Sequence, residues 1–313
     1  MSSNIADSIK ARLLNEARGG GTEFELFLVR YACERFLYRL GESAVRDSCI
    51  LKGATLLALW MKEPYRATRD IDLLAFGESD EETVRTIIKA VCSVPCQEDG
   101  ITFDLETLRV SPIRDNQTYQ GQRANLRARL GTARIAVQVD FGFGNAVTPV
   151  VDEERLPTLI GGVPAPLVRT YPRVATIAEK FETMVQLGTR NSRMKDFYDV
   201  WALSETFAFD GAEIRDAVDR CFERRGTRWS QAVPEVLTPA FYSGTDLQSR
   251  WQSYGQDGQL LSSPPSAFEE IGRRLQLFMA PVRESILNGQ TFEMHWPAGG
   301  PWQPGASIGS GGE

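Results

Sequence analysis

The sequence holds one histidine, His295. Ser-His-Asp triads and most histidine-based proton transfer need an imidazole beside the reacting group, so most such schemes are excluded. Cysteine is scarce too. The five, at 33, 49, 92, 96 and 221, are odd in number and irregular in spacing, which argues against a disulfide framework. Cys92 and Cys96, in VCSVPC, have a weak ligand-pair spacing. No second Cys/His pair completes a four-ligand zinc site, so buried free thiols are the expectation. No apolar run reaches the roughly 18 residues a membrane helix needs. The beginning, MSSNIADSIKARLLNEARGGG, lacks the apolar core of a signal peptide. A soluble, cytoplasmic protein with no membrane partner is expected.

What is present is ample for a core. The 313 residues, 42% hydrophobic and 24% charged, suit one large domain or two ordinary ones. A net charge of −6 disfavours nonspecific coating of nucleic acid. Two local basic groups stand against it: Arg114, Arg123, Arg127, Arg129 and Arg134, then Arg220, Arg224, Arg225 and Arg228. Each alone reads as mixed-charge surface; together on one face they would track phosphates.

The periodicity predicts helices over 5–18 and 23–40, the second opened by a Thr22/Glu25 capping box and stopped by Gly41. DSCILKG reads as a strand and ATLLALWM as a helix. TRDIDLLAF is a strand, and SDEETVRTIIKAVCSV a helix capped by Ser79. ITFDLETLRVSPI, RANLRARL and RIAVQVDFGFG are strands, the last two joined as a hairpin at Gly131-Thr132. An α+β domain follows. Helices are expected from Pro172 to Gly188, through SRMKDFYDVWALSETF, and around 211–225, 229–241, 245–254 and 267–288. The expected organisation is N-terminal helices over 1–44, a core over 45–147, a helical domain over 148–296 and a flexible tail over 297–313.

Chemistry concentrates in three places. In RATRDIDLLAFG, strand alternation puts Asp70 and Asp72 on one face and Ile71 on the other. Two carboxylates so spaced suit Mg²⁺, which prefers oxygen ligands; exposed strand edges carry such pairs without a metal as well. Upstream, LKGAT joins a strand to a helix through Gly53. Its helix start would offer N–H groups to phosphate, with Thr55 adding a hydroxyl; an ordinary glycine turn is the plainer account. The spacing is not that of a P-loop. Asp140, closing IAVQVDF, would be a third carboxylate for a two-metal phosphoryl-transfer site, or a turn-forming residue. Further on, Lys180 lies on an amphipathic helix, and Asp196 and Asp199 share a helix face three residues apart. A Lys195–Asp199 surface pair is one account of the latter. The other has Lys180 reaching nucleotide phosphates, with Asp196 or Asp199 fixing it.

Taken in order, LKGATLLALW, TRDIDLLAF, TIAEKFETMVQLG and RMKDFYDVWAL resemble the AbiEii family, nucleotidyltransferase-like toxins of abortive-infection and type IV toxin–antitoxin systems that include the MenT toxins. The terminal WPAGGPW is similar to the family's usual ending, so the resemblance runs from about 50 to 302. It implies a nucleotidyltransferase-like mixed sheet with flanking helices and a mainly α-helical C-terminal domain. It also implies Mg²⁺-dependent nucleotide transfer from an NTP to RNA, with the tRNA 3′ acceptor end as target and translation as the process blocked. An AbiEi-like antitoxin would be a partner. By position, Asp70 and Asp72 become catalytic metal ligands, with Asp140 joining them on geometry. Lys52, Gly53, Thr55, Arg69 and Lys195 become nucleotide-binding candidates, and Lys180, Asp196 and Asp199 catalytic ones. Arg66 is a further contact candidate. Ala54 departs from the family's glycine or serine, and its methyl would hinder phosphate approach. Transfer to a small molecule or protein hydroxyl, or a catalytically silent binding module, are the alternatives.

Overall fold

The computed structural model describes residues 2–19, 23–60, 69–113, 121–144, 151–256 and 264–305. Thr22, Arg66, Arg114 and the end of the expected tail, 306–313, lie outside them. The chain divides into two units, Met1–Tyr171 and Pro172–Glu313.

The first unit runs α1 (Ser2–Gly19), α2 (Phe24–Glu42), β1 (Cys49–Lys52), α3 (Gly53–Trp60), β2 (Asp70–Ala75), α4 (Glu81–Cys92), β3 (Ile101–Ile113), β4 (Gly121–Leu130), β5 (Ala133–Phe143), β6 (Asp152–Arg155) and β7 (Leu167–Thr170). Its seven strands form one mixed sheet in the order β3-β4-β5-β2-β1-β7-β6. β2 pairs parallel with β5, and β1 with β7.

Alternation decides the two faces of this sheet. On β4, Gln122, Ala124, Leu126, Ala128 and Leu130 are buried, while Asn125, Arg127 and Arg129 between them are exposed. On β5, Ile135, Val137, Val139 and Phe141 are buried in step. α1, α2 and α4 pack on these strands. Phe36 of α2 meets Phe103 of β3 edge-on at 5.8 Å. Burying an aromatic side chain there contributes about 1.5–3 kcal/mol.

Several local expectations change. The α4 cap is Asp80, whose carboxylate accepts from the Thr83 N–H at 2.7 Å, rather than Ser79. Gly41 does not stop α2, which continues to Glu42. A Cβ there would lie 2.2 Å from the Leu167 carbonyl oxygen, so the glycine permits helix–strand contact. β6 and β7 extend the sheet where no strand was expected.

The second unit contains α5 (Arg173–Leu187), α6 (Met194–Thr206), β8 (Phe209–Asp210), α7 (Gly211–Arg225), α8 (Pro239–Tyr242), α9 (Thr245–Gln256), α10 (Phe268–Leu287), β9 (Met294–Trp296) and β10 (Gln303–Pro304). Pro172 precedes α5, and Gly188, with φ +49°, closes it. The single helix expected over 229–241 is a 3₁₀ turn at Glu235–Leu237 followed by the short α8. Within 297–313, Trp302 stacks on Phe278 at 5.6 Å and donates to the Phe278 carbonyl at 2.9 Å. The α+β architecture with a helical second unit is the one expected from the sequence.

Candidate active site

β2 carries Asp70 and Asp72 at alternate positions, and the parallel register sets Asp72 directly beside Asp140 of β5. Neighbouring strands are about 4.8 Å apart, so carboxylates at such a pair converge. Asp70, Asp72 and Asp140 are all half-buried, and each offers an oxygen within 4.8 Å of the others. Among the described residues no other group of three metal-ligating side chains meets that geometry. Cys92 and Cys96 belong to none, and burial pushes their thiols up to about 12 and about 11.

The triad has a companion that the sequence reading missed. Arg123 of β4 is the register partner of Asp140. Its Nε and Nη2 donate to the two carboxylate oxygens at 2.8 and 2.7 Å. That hydrogen bonding holds the guanidinium above its ordinary range; partial burial opposes it, and the charges of Asp140, Asp70 and Asp72 reinforce it. The signal was available. A two-residue loop at Gly131-Thr132 pairs Leu130 with Ala133, and counting outward in step sets Arg123 opposite Asp140.

Octahedral Mg²⁺ with oxygens at about 2.0–2.1 Å requires neighbouring ligand oxygens roughly 3 Å apart. Three carboxylates within 4.8 Å reach that spacing by small side-chain rotations, so the donor set fits a hard divalent cation. Asp140 shares both of its oxygens with Arg123.

Gly53 opens α3 beside this triad with φ +70°. A Cβ at Gly53 would lie 1.9 Å from Asp72 Oδ2, so only glycine leaves that carboxylate in place. The Thr55 hydroxyl lies 3.5 Å from the Asp70 carbonyl oxygen. Lys52 pairs in register with Asp72, and its Nζ lies 4.5 Å from the Tyr171 ring centroid. Arg69 is exposed just before β2. Ala54 is only 4% exposed, so its methyl group packs against protein rather than facing solvent.

In the second unit, Lys180 of α5 projects between two carboxylates of α6. Its Nζ is 2.8 Å from Asp196 Oδ1 and 2.7 Å from Asp199 Oδ2. Arg193 Nε adds a bond to Asp196 Oδ2 at 2.7 Å. Burial alone would raise the Asp196 carboxyl, but Lys180 and Arg193 outweigh it and hold it at about 2. Burial likewise opposes the charge of Lys180, yet the two aspartates keep its ammonium above the ordinary range. Asp199 is thus engaged by Lys180, while Lys195 is exposed.

No curated protein matches the chain. Solved structures similar to it include JHP933 from Helicobacter pylori, 13% identical with a TM-score of 0.47, the match covering 85% of this chain and 95% of that one. Another is an H. pylori protein provisionally described as a nucleotidyltransferase, 13% identical with a TM-score of 0.46, covering 86% and 99%. The family model of the nucleotidyl transferase AbiEii toxin, type IV toxin–antitoxin system, matches residues 35–274, a span that holds the triad, the Gly53 turn and the Lys180 cluster. The chain therefore belongs to the AbiEii family of nucleotidyl transferase toxins.

Proposed function

We propose that this chain is a Mg²⁺-dependent nucleotidyltransferase that moves a nucleotide from an NTP to RNA. The acceptor is the 3′ end of tRNA, and the consequence is a block of translation. The observation that carries the reading is the carboxylate triad on two adjacent parallel strands, with the Gly53 turn pressed against it.

Asp70 and Asp72 would hold Mg²⁺, with Asp140 completing the set. Bound there, the ion supplies Lewis-acid neutralisation of charge at the reacting phosphates. Gly53 keeps the Asp72 carboxylate in position and leaves room for close approach of phosphate. The backbone N–H groups at the start of α3 and the Thr55 hydroxyl orient the triphosphate, with Lys52 and Arg69 adding positive charge nearby. An acceptor hydroxyl forms the new P–O bond, the α–β phosphoanhydride breaks, and pyrophosphate leaves. In the second unit, Asp196 and Asp199 hold the Lys180 ammonium charged and fixed. A type IV system supplies an antitoxin, here AbiEi-like, to restrain the activity.

The test is incubation of the purified chain with labelled NTPs, Mg²⁺ and total tRNA. Label enters RNA with wild type and falls at least 100-fold with Asp72→Ala. Equal labelling by the variant removes the metal assignment. Label on protein or a small hydroxyl compound instead of RNA replaces the acceptor and leaves nucleotidyl transfer standing.

A further inference from the structure

The fold treats the two basic groups differently. In the second unit, Arg224 reaches Glu179 at 3.1 Å, Arg225 reaches Glu182 at 2.7 Å, and Arg220 lies 3.8 Å from Asp216. Those arginines are engaged by carboxylates. In the first unit, the polar face of β3, β4 and β5 presents Arg109, Arg127, Arg129 and Arg134, all exposed. Register ties them into one field: Arg129 opposes Arg134, Arg127 opposes Asp104, and Arg109 opposes Asn125, the residue two before Arg127.

Little on that face answers their charge. Arg129 pairs with Asp104 at 2.9 Å, and Arg109 donates to the Leu108 carbonyl at 3.0 Å. Arg127 and Arg134 have no side-chain partner among the described residues. Four guanidinium groups therefore stand against Asp104 and the bulge residue Glu106, in a chain whose net charge is −6. The positions between the arginines carry Asn125, Ala136 and Gln138, none of them a large apolar anchor of the kind that dominates protein–protein hot spots. The face also lacks aromatic rings among those positions, so it has nothing on which bases would stack. What it offers is charge at strand spacing, about 7 Å between alternate residues and about 4.8 Å between strands. The field leads to the acidic triad: Arg134 and Asp140 lie six residues apart on β5, about 20 Å along the strand.

We propose that this open face is the docking surface for the single-stranded 3′ end of the acceptor RNA. Its phosphates lie along Arg109, Arg127 and Arg134, and its 3′ end reaches Asp70 and Asp72. The proposal rests on the nucleotidyl-transfer reading of the triad. Recognition is of the backbone, so it is tolerant of sequence and steeply dependent on salt.

The test measures fluorescence anisotropy of a short 5′-labelled single-stranded RNA with the full chain, in EDTA and without NTP, over a salt series. R127Q/R134Q should bind at least 10-fold more weakly. The slope of log K against log salt should shrink by about 1.4, since each phosphate contact on a single strand contributes about 0.7. R127K/R134K should restore most of both, which a folding defect would not allow. Equal affinity and equal slope for wild type and R127Q/R134Q overturn the proposal and leave the face to an acidic protein. The nucleotide site is read separately, by Mg²⁺–NTP thermal stabilisation of the same proteins. Weakened RNA binding in R127Q/R134Q, with no such stabilisation even in wild type, upholds the docking surface and removes the transferase reading.

Discussion

Arg123 is the residue whose role the sequence reading did not include. Its two bonds to Asp140 set a positive charge beside the one place where, among the described residues, three acids converge at metal-ligating distance. A guanidinium and a divalent cation compete for the same oxygens. Two unit charges about 4 Å apart interact by about 1 kcal/mol in water and about 4 kcal/mol at an effective dielectric of 20. Arg123 is 40% exposed, so the lower end applies. Arg123→Ala is therefore expected to tighten Mn²⁺ binding by roughly 10-fold, about 1.4 kcal/mol, read by titration of the free protein with Mn²⁺. Weaker binding would show instead that Arg123 holds Asp140 in a ligating position. The contrast with Gly53 is instructive. That residue was legible because a strand running into a helix through glycine is a recognisable pattern. What it makes room for, the Asp72 carboxylate, needs both elements in place.

At the scale of elements, the α5–α6 pair depends on a buried charge cluster. Lys180 and Arg193 balance Asp196 and Asp199, and neither aspartate side chain is more than 2% exposed. Removing one partner of a buried pair costs about 3–5 kcal/mol, because a charge is left uncompensated. Lys180→Met should lower stability by that order in a denaturant titration at neutral pH and by less in acid, where protonation relieves the uncompensated carboxylates. The sign follows from Asp196. Its carboxyl sits at about 2 in the folded chain, below its ordinary 3.8, so its stabilising contribution is present above pH 4 and is lost as the pH falls towards 2. In Lys180→Met that carboxyl loses its main partner, so stability should fall less steeply between pH 4 and pH 2 than in wild type, followed by denaturant titrations across that range; an unchanged slope would mean that Arg193 alone sustains Asp196. The helices themselves were legible from apolar periodicity, as were the β4–β5 hairpin and its alternation. β6 and β7 were not. β6 reads DEER, without an alternating apolar pattern, and its place in the sheet comes from backbone pairing with β7 at an edge. The β3 bulge between Asp104 and Arg109 was also hidden, because an irregularity of register leaves little trace in composition.

For the whole molecule, the sequence carries an acidic sum while the fold segregates it. The acids that matter gather on β2 and β5, and Arg127 and Arg134 lie along the adjoining face of the same sheet. In the second unit, Arg224 and Arg225 are held by its own carboxylates. Segregation of this kind depends on register, which is why charge counting along the chain left the two arginine groups equivalent. It also gives ligand binding a thermodynamic signature that does not require turnover. A ligand held only by the folded state stabilises it by RT ln(1 + [L]/Kd), about 2.7 kcal/mol at 100 times Kd. For an unfolding unit the size of Met1–Tyr171, 1 kcal/mol moves the midpoint by about 2–4 °C. Mg²⁺ with a saturating NTP should therefore raise the melting midpoint of the chain by about 5–10 °C, and NTP in EDTA by much less. Asp70→Asn/Asp72→Asn removes two of the three carboxylates with little change in volume, so its own midpoint should hold while the ligand-induced rise disappears. A rise that survived that substitution would place the nucleotide away from β2, because a triphosphate bound through this triad has no route to stabilise the chain once those two charges are gone.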